Sequence, residues 1–135
     1  MLTKRILKED RIRKIAGGFS FIPHRFLADG FLTSLTQPEI LLYLFLVLAG
    51  DRYGLSYYSY DAICTLLQLN LGEYIAARDG LIDRDLIAFD GRIFQVLDLP
   101  AYPVQRAPVD DEDPATVARL IRQSLEYADQ RRRSP

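Results

Sequence analysis

Residues 70–96, NLGEYIAARDGLIDRDLIAFDGRIFQV, contain the signals that decide the fold of this 135-residue chain. Asn70 and Glu73 have the spacing of a capping box, in which each side chain accepts a hydrogen bond from the backbone N–H of the other residue. This spacing predicts a helix that begins after Asn70 and continues to about Arg84.

A β-hairpin is predicted directly after this helix. Residues 86–89 and 92–96 are rich in β-branched and aromatic side chains, and Asp90-Gly91 lies between them. Asp-Gly favours positive φ at both centres of a two-residue type I′ turn, which joins two antiparallel strands. The stretch therefore predicts a helix followed by a tight hairpin.

Two further helices and a short strand are predicted upstream. Thr36 and Glu39 form a second capping-box pattern before a helix over residues 37–49. Residues 55–58 are typical of a strand, and a helix is predicted over residues 60–68 with its cap at Ser59.

The helix over residues 37–49 is apolar on nearly all sides, and Gly50 is a natural residue to end it. Such a helix needs cover on more than one face. Three sources of cover are open at this point: a short helix that starts near Pro23, a C-terminal helix, or a second copy of the chain.

The order helix, strand, helix, tight turn, helix, hairpin resembles the winged helix-turn-helix superfamily of bacterial regulators. Only Leu69 and the Asn70 cap separate the second and third of these helices. The resemblance is carried by the stretch from Glu73 to Ile87, in which Tyr74, Ala77, Leu81, Leu86 and Ile87 occupy the matching core positions. The chain departs from the family pattern at Arg78, where Leu is usual, and at Asp85, where Gly is usual. Residues 19–99 also resemble small proteins encoded beside bacterial insertion-sequence genes.

The resemblance implies a DNA-binding regulator or mobile-element accessory, whose third helix enters the major groove while the hairpin touches the backbone. The third helix is expected to present Gly72, Glu73, Ile75, Ala76, Asp79, Ile82 and Asp83 outwards. Because two of these residues are aspartates, the alternative is a protein-interaction or dimerisation module that does not read DNA directly.

Charge is distributed unevenly along the chain. Residues 1–18 form an arm with six basic and two acidic side chains, whereas residues 19–109 carry six basic and ten acidic side chains. A basic arm can bind a DNA backbone through counterion release, although a solvated helix face is the plainer interpretation. The candidate DNA-binding residues are Lys4, Arg5, Lys8, Arg11, Arg13, Lys14, Asn70, Glu73, Arg78, Arg84 and Arg92.

A group of tyrosines surrounds the predicted strand at residues 55–58. Their hydroxyls can bond phosphates. The alternative, which the residue type favours, is half-buried packing with one end of each side chain in water. The residues are Tyr53, Tyr57, Tyr58 and Tyr60.

The C-terminal part is predicted to be a Pro-rich acidic linker over residues 100–114 and an amphipathic helix over residues 115–135. The apolar stripe of this helix suggests a homodimer contact. The candidate dimerisation residues are Val117, Leu120, Ile121 and Leu125.

The motifs of common enzyme and metal sites are absent from the sequence. One His and one Cys do not make a zinc set, and no phosphate-binding or nucleophile-elbow motif occurs. We therefore expect no enzyme activity, no metal and no cofactor.

Without a signal peptide or a long apolar run, a cytoplasmic protein without a membrane span is expected. The predicted class is mainly α with a small antiparallel sheet, a winged helix-turn-helix over residues 19–99 with extra N- and C-terminal helices.

Overall fold

The computed structural model describes residues 3–104, which contain four α-helices and three β-strands. The elements are α1 (Arg25–Ala28), α2 (Gln37–Ala49), β1 (Leu55–Ser56), α3 (Tyr60–Leu67), α4 (Leu71–Asp83), β2 (Ile87–Phe89) and β3 (Phe94–Val96). Two short 3-10 helices, Glu9–Arg11 and Leu32–Ser34, accompany them. The predicted class, mainly helical with a small antiparallel sheet, is confirmed.

Both predicted capping boxes are present. The backbone N–H of Thr36 donates to Glu39 Oε1 at 2.8 Å, and the N–H of Glu39 donates to Thr36 Oγ1 at 3.4 Å. At the start of α4 the N–H of Asn70 donates to Glu73 Oε1 at 2.9 Å, and the N–H of Glu73 donates to Asn70 Oδ1 at 2.7 Å. These local bonds satisfy N–H groups that have no partner within the helix.

Gly50 ends α2 for a different reason from the predicted one. Its φ is −72°, so it does not occupy the left-handed region. A Cβ at this position would lie 3.1 Å from the carbonyl oxygen of Leu46 and 3.2 Å from the carbonyl carbon of Gly54. Glycine is therefore used here because the chain passes close to its own backbone.

The three strands form an antiparallel sheet in the order β1-β3-β2. Phe89 lies opposite Phe94 in the hairpin, and their rings stack with centroids 4.2 Å apart. The predicted two-residue type I′ turn was wrong, since residues 90–93 form a longer connection in which only Gly91 has positive φ. The Asp90 carboxylate accepts bonds from the N–H groups of Arg92 and Ile93, which stabilises this wider loop.

The core lies between α2, α4 and the inner face of the hairpin, with α1 at one end. The α1 residue Phe26 stacks on Tyr43 of α2 with ring centroids 4.9 Å apart, so the short N-terminal helix supplies part of the cover that α2 needs. The outer side of α2 keeps Leu41, Leu44 and Leu48 at 40%, 45% and 64% exposure. The buried core residues are Phe26, Phe31, Leu42, Tyr43, Leu46, Ile63, Tyr74, Ala77, Leu81, Leu86, Ile87 and Phe94.

The basic arm does not form the continuous helix that its near-helical spacing indicates. Within residues 3–18 the only helical element is the 3-10 turn Glu9–Arg11, and every side chain in this range is exposed. In contrast to the arm, residues 100 and 101 are fixed to the domain by hydrogen bonds. The Arg25 guanidinium donates to the carbonyl oxygens of Pro100 at 2.7 Å and Ala101 at 3.1 Å.

The described residues bear differently on two further predictions. The candidate dimerisation residues Val117, Leu120, Ile121 and Leu125 lie outside the described residues. Among residues 3–104, no helix has both the length and the apolar character that crossing a bilayer requires.

Candidate nucleic-acid interface

A concave surface lies where the segment before α3, the first turns of α4 and the hairpin meet. Its cavity volume is about 570 Å³. We name it the Tyr–Arg surface after its most frequent side chains. It is lined by Tyr57, Tyr58, Ser59, Tyr60, Leu71, Tyr74, Ile75, Arg78, Phe89, Gly91 and Arg92.

The hairpin contributes one cation to this surface. Arg92 is exposed near the tip of the hairpin, and its guanidinium carbon lies 5.5 Å from the centre of the Tyr57 ring. This distance places a positive charge over an aromatic face, a favourable arrangement that leaves the guanidinium N–H groups free to meet solvent or a ligand.

The second cation of the Tyr–Arg surface comes from α4. Arg78 is half-buried, and its guanidinium lies 5.7 Å from the centre of the Tyr74 ring and 5.4 Å from that of Phe89. Its Nε also donates to Asp79 Oδ1 at 3.1 Å. Arg78 is therefore positioned by two rings and one carboxylate, and part of its charge is compensated.

The tyrosines at the rim of the Tyr–Arg surface are partly exposed. Tyr57 and Tyr60 are 65% and 52% exposed. Tyr58 does pack, edge-on against Phe45 at 5.1 Å between ring centroids, and still keeps 42% of its surface exposed. Tyr58 and Tyr60 are thus half-buried, as the packing interpretation predicts, whereas Tyr57 is more exposed, and all three keep part of their surface open to a ligand.

The floor of the Tyr–Arg surface is aromatic and apolar. Tyr74 is only 3% exposed, and burial raises the pKa of its phenol, while the hydrogen bond and charge of Arg78 act in the opposite direction. The phenol therefore stays neutral near pH 7.

The lining of the Tyr–Arg surface includes two arginines and no carboxylate. A second cavity of about 670 Å³ shows the contrast, because Asp51 and Asp98 line it beside a single Arg52. Residues 19–109 carry four more acidic than basic side chains. Within the described part of this acidic domain, the Tyr–Arg surface is therefore a cavity lined by two arginines, of which Arg78 is paired with Asp79 and Arg92 is exposed at the rim.

The outward side of α4 beyond this surface is acidic and apolar. Of the seven residues predicted to face out, Asp79 is half-buried and the other six are exposed: Gly72, Glu73, Ile75, Ala76, Ile82 and Asp83. Carboxylates repel phosphates, and aliphatic side chains cannot hydrogen-bond to base edges apart from contacts with the thymine methyl group. This side of α4 is poorly suited to reading a base sequence.

Arg84 does not belong to the candidate interface, in contrast to the prediction. It is 6% exposed, and its Nη1 donates to Glu39 Oε2 at 2.9 Å. A guanidinium enclosed and paired in this way cannot reach a phosphate on the surface. The sequence does not reveal this, because the partner lies 45 positions earlier in the chain.

Asn70 and Glu73 are exposed, but their side chains form the capping box of α4, and these hydrogen bonds fix their orientation.

Of the predicted residues, the structure brings Arg78 and Arg92 together on one surface. Sequence reasoning missed Tyr74, Phe89, Leu71 and Ile75 as its lining. The arm cations, all exposed, are not among the lining residues: Lys4, Arg5, Lys8, Arg11, Arg13 and Lys14.

Comparison with known proteins gives no match to a protein-family model, to a curated protein or to a solved structure.

Proposed function

We propose that residues 19–99 form a winged helix-turn-helix domain that binds DNA. Two observations support the fold assignment. The elements α2, β1, α3, α4, β2 and β3 follow the expected order, and β3 pairs with both β1 and β2. Residues 68–70 make a tight connection between α3 and α4, as a helix-turn-helix requires.

The observation that carries the DNA-binding proposal is the cationic and aromatic lining of the Tyr–Arg surface within an acidic domain. It lies between α4 and the hairpin, the two elements that contact DNA in this class of protein. Guanidinium groups bind phosphate oxygens through several N–H donors, and tyrosine hydroxyls bind them as well.

The sequence preference of this binding is expected to be weak. Arg84 is buried, and the exposed side of α4 carries Glu73 and Asp83. Base recognition in the major groove uses mainly Arg, Lys, Asn and Gln, none of which α4 presents there apart from the half-buried Arg78. Contacts to the sugar-phosphate backbone of the DNA then supply most of the affinity.

The basic arm adds to the same binding. Its six cations are exposed, and each phosphate that they neutralise releases bound counterions. Binding should therefore weaken steeply when salt rises. Transcription regulation or an accessory role in a mobile element, in the cytoplasm, is the setting that the family resemblance predicts.

The proposal is tested with the full chain and a fluorescently labelled duplex, by anisotropy at about 50 mM and about 200 mM salt. We expect binding at the lower salt that falls by at least about tenfold at the higher salt. Replacing the six arm cations with Ala, or Arg92→Ala alone, should weaken binding. Arg52→Ala is the matched control, because Arg52 is exposed but lies outside the Tyr–Arg surface.

The result that would overturn the proposal is the absence of any DNA binding by the wild-type chain at micromolar concentration and low salt. Equal losses in Arg52→Ala and Arg92→Ala would count against the Tyr–Arg surface as the binding face.

A second candidate function, self-association as a protein-interaction module, is favoured by the outer side of α2. Leu41, Leu44 and Leu48 lie on one side of a helix whose residues 40–49 include no charged side chain. Light scattering after size exclusion should then show a dimer that Leu44→Glu converts to a monomer. A wild-type chain that is monomeric at all concentrations would reject this candidate, and a dimer that is lost on deletion of residues 114–135 would instead support the predicted C-terminal contact.

A further inference from the structure

We propose that the Tyr–Arg surface takes unpaired nucleotides, so that the chain binds single-stranded or locally unpaired DNA more tightly than intact duplex. This inference rests on the proposed DNA-binding function and names the form of DNA that the surface selects. It is carried by the exposure of the rim tyrosines, the concave shape and the charge of the lining.

The rim offers stacking faces that a duplex cannot use. Tyr57 is 65% exposed although the Arg92 guanidinium lies over its ring, and Tyr60 is 52% exposed. In a duplex both faces of each internal base are covered by neighbouring bases. An unpaired base has a free face, which can stack on a tyrosine ring or on a guanidinium plane.

The concave shape fits a nucleotide better than it fits a double helix. The cavity of about 570 Å³ lies in the size range of small-ligand sites, and its floor is formed by Tyr74 and Phe89. A single base can enter such a cavity, whereas a duplex presents a convex backbone that rests on the rim. Enzymes that extrude a base hold it in a pocket of comparable character.

The charge of the lining complements a nucleotide. Arg92 at the rim is exposed, and Arg78 lies deeper, against the aromatic floor. An unpaired nucleotide carries an aromatic base together with one phosphate, so its two parts meet the two kinds of side chain that line the surface. No carboxylate is among the lining residues, and because Arg78 is paired with Asp79, the exposed Arg92 is the cation that meets the phosphate.

The test measures the affinity of the full chain for a labelled oligothymidylate of about 20 nucleotides, a duplex of the same length, and that duplex with a short central bubble. The wild type should bind the oligothymidylate at least about tenfold more tightly than the duplex, with the bubble in between. Tyr57→Ala should reduce oligothymidylate binding about tenfold and duplex binding by no more than about threefold, because only the unpaired strand loses a stacking partner. Tyr57→Phe, which keeps the ring, should restore most of the oligothymidylate affinity.

Tyr53→Ala is the matched control. Tyr53 is 63% exposed and has the Arg52 guanidinium 4.9 Å from its ring centre, yet it lies outside the Tyr–Arg surface. Its replacement should change neither affinity. Circular dichroism of each variant confirms that the fold is retained.

The outcomes separate the inference from the proposed function. Equal or tighter binding of the duplex by the wild type overturns the inference and leaves duplex binding as the function. An equal loss in Tyr57→Ala and Tyr53→Ala also overturns it. Failure of every DNA to bind overturns the proposed function, and the inference falls with it.

Discussion

Arg84 Nη1 donates a hydrogen bond to Glu39 Oε2 at 2.9 Å, and both side chains are buried. Because Arg84 caps the end of α4 and Glu39 lies in the first turn of α2, the pair joins the two central helices. The other carboxylate oxygen of Glu39 accepts from the backbone N–H of Thr36. The Glu39 carboxylate thus caps the start of α2 and also positions the end of α4. The hairpin follows directly after that end.

Removal of one member of this pair should be costly. In Arg84→Met the Glu39 carboxylate stays buried without its cation, which typically costs about 3–5 kcal/mol of the free energy of unfolding. Urea denaturation followed by circular dichroism measures the loss.

The double variant Glu39→Gln plus Arg84→Met is the control for the pair. It removes both charges and keeps an acceptor for the Thr36 N–H, so it should be more stable than Arg84→Met alone. A loss below about 1 kcal/mol in Arg84→Met would show that the pair contributes little.

Gly54 is expected to be intolerant of a side chain. Its φ is +81°, and a Cβ would lie 2.5 Å from the carbonyl oxygen of Val96 on the neighbouring strand. Gly54→Ala combines a strained backbone with a collision against another backbone, so we expect a loss of about 2–4 kcal/mol in the free energy of unfolding.

Gly91→Ala is the matched control for Gly54→Ala. Gly91 also has positive φ, at +102°, but no atom lies within 4 Å of a Cβ built there. Only the backbone strain remains, at a cost of about 1–2 kcal/mol. Thermal denaturation of both variants compares the two losses, and equal losses would show that the contact with Val96 is relieved without cost.

Local signals in the sequence predict the helices well. The spacing of Thr36 and Glu39, and of Asn70 and Glu73, marks the starts of α2 and α4, because a capping box involves residues only three positions apart. The turn at Asp90-Gly91 was predicted less well, since the Asp90 carboxylate bonds to N–H groups further along the chain and widens the loop.

The candidate site could be predicted only in part. Arg92 is exposed because it lies at a hairpin tip, which the sequence indicates. The burial of Arg84 depends on Glu39, and the meeting of Tyr57 with Arg92 depends on pairing between distant strands. Such contacts follow from tertiary packing, for which no short sequence pattern exists.

Asp85 carries backbone strain that a substitution should relieve. Its φ is +60°, which lies in the left-handed region that favours glycine. Asp85→Gly should raise the free energy of unfolding by roughly 0.5–1 kcal/mol, because the relief of strain exceeds the greater entropy that Gly has in the unfolded chain.

Asp85→Val serves as the opposite control, since a β-branched residue is strongly disfavoured at positive φ. It should lower the midpoint of thermal unfolding while Asp85→Gly raises it. A lower midpoint for Asp85→Gly would mean that the Asp85 side chain stabilises the fold by more than its backbone strain costs.

The hairpin loop should respond to acid through Asp90. The backbone N–H groups of Ile93 and Arg92 donate to its carboxylate and hold its pKa below the ordinary value of 3.8. The stabilisation is complete above pH 3.8 and is lost as the pH falls through the lower pKa of the folded state. NMR titration should show the amide signals of Arg92 and Ile93 shifting together at that lower pKa. Asp90→Asn keeps an acceptor oxygen without a titrating proton and should abolish the shift, whereas an Asp90 carboxyl that titrates above 3.8 in the wild type would contradict the loop geometry.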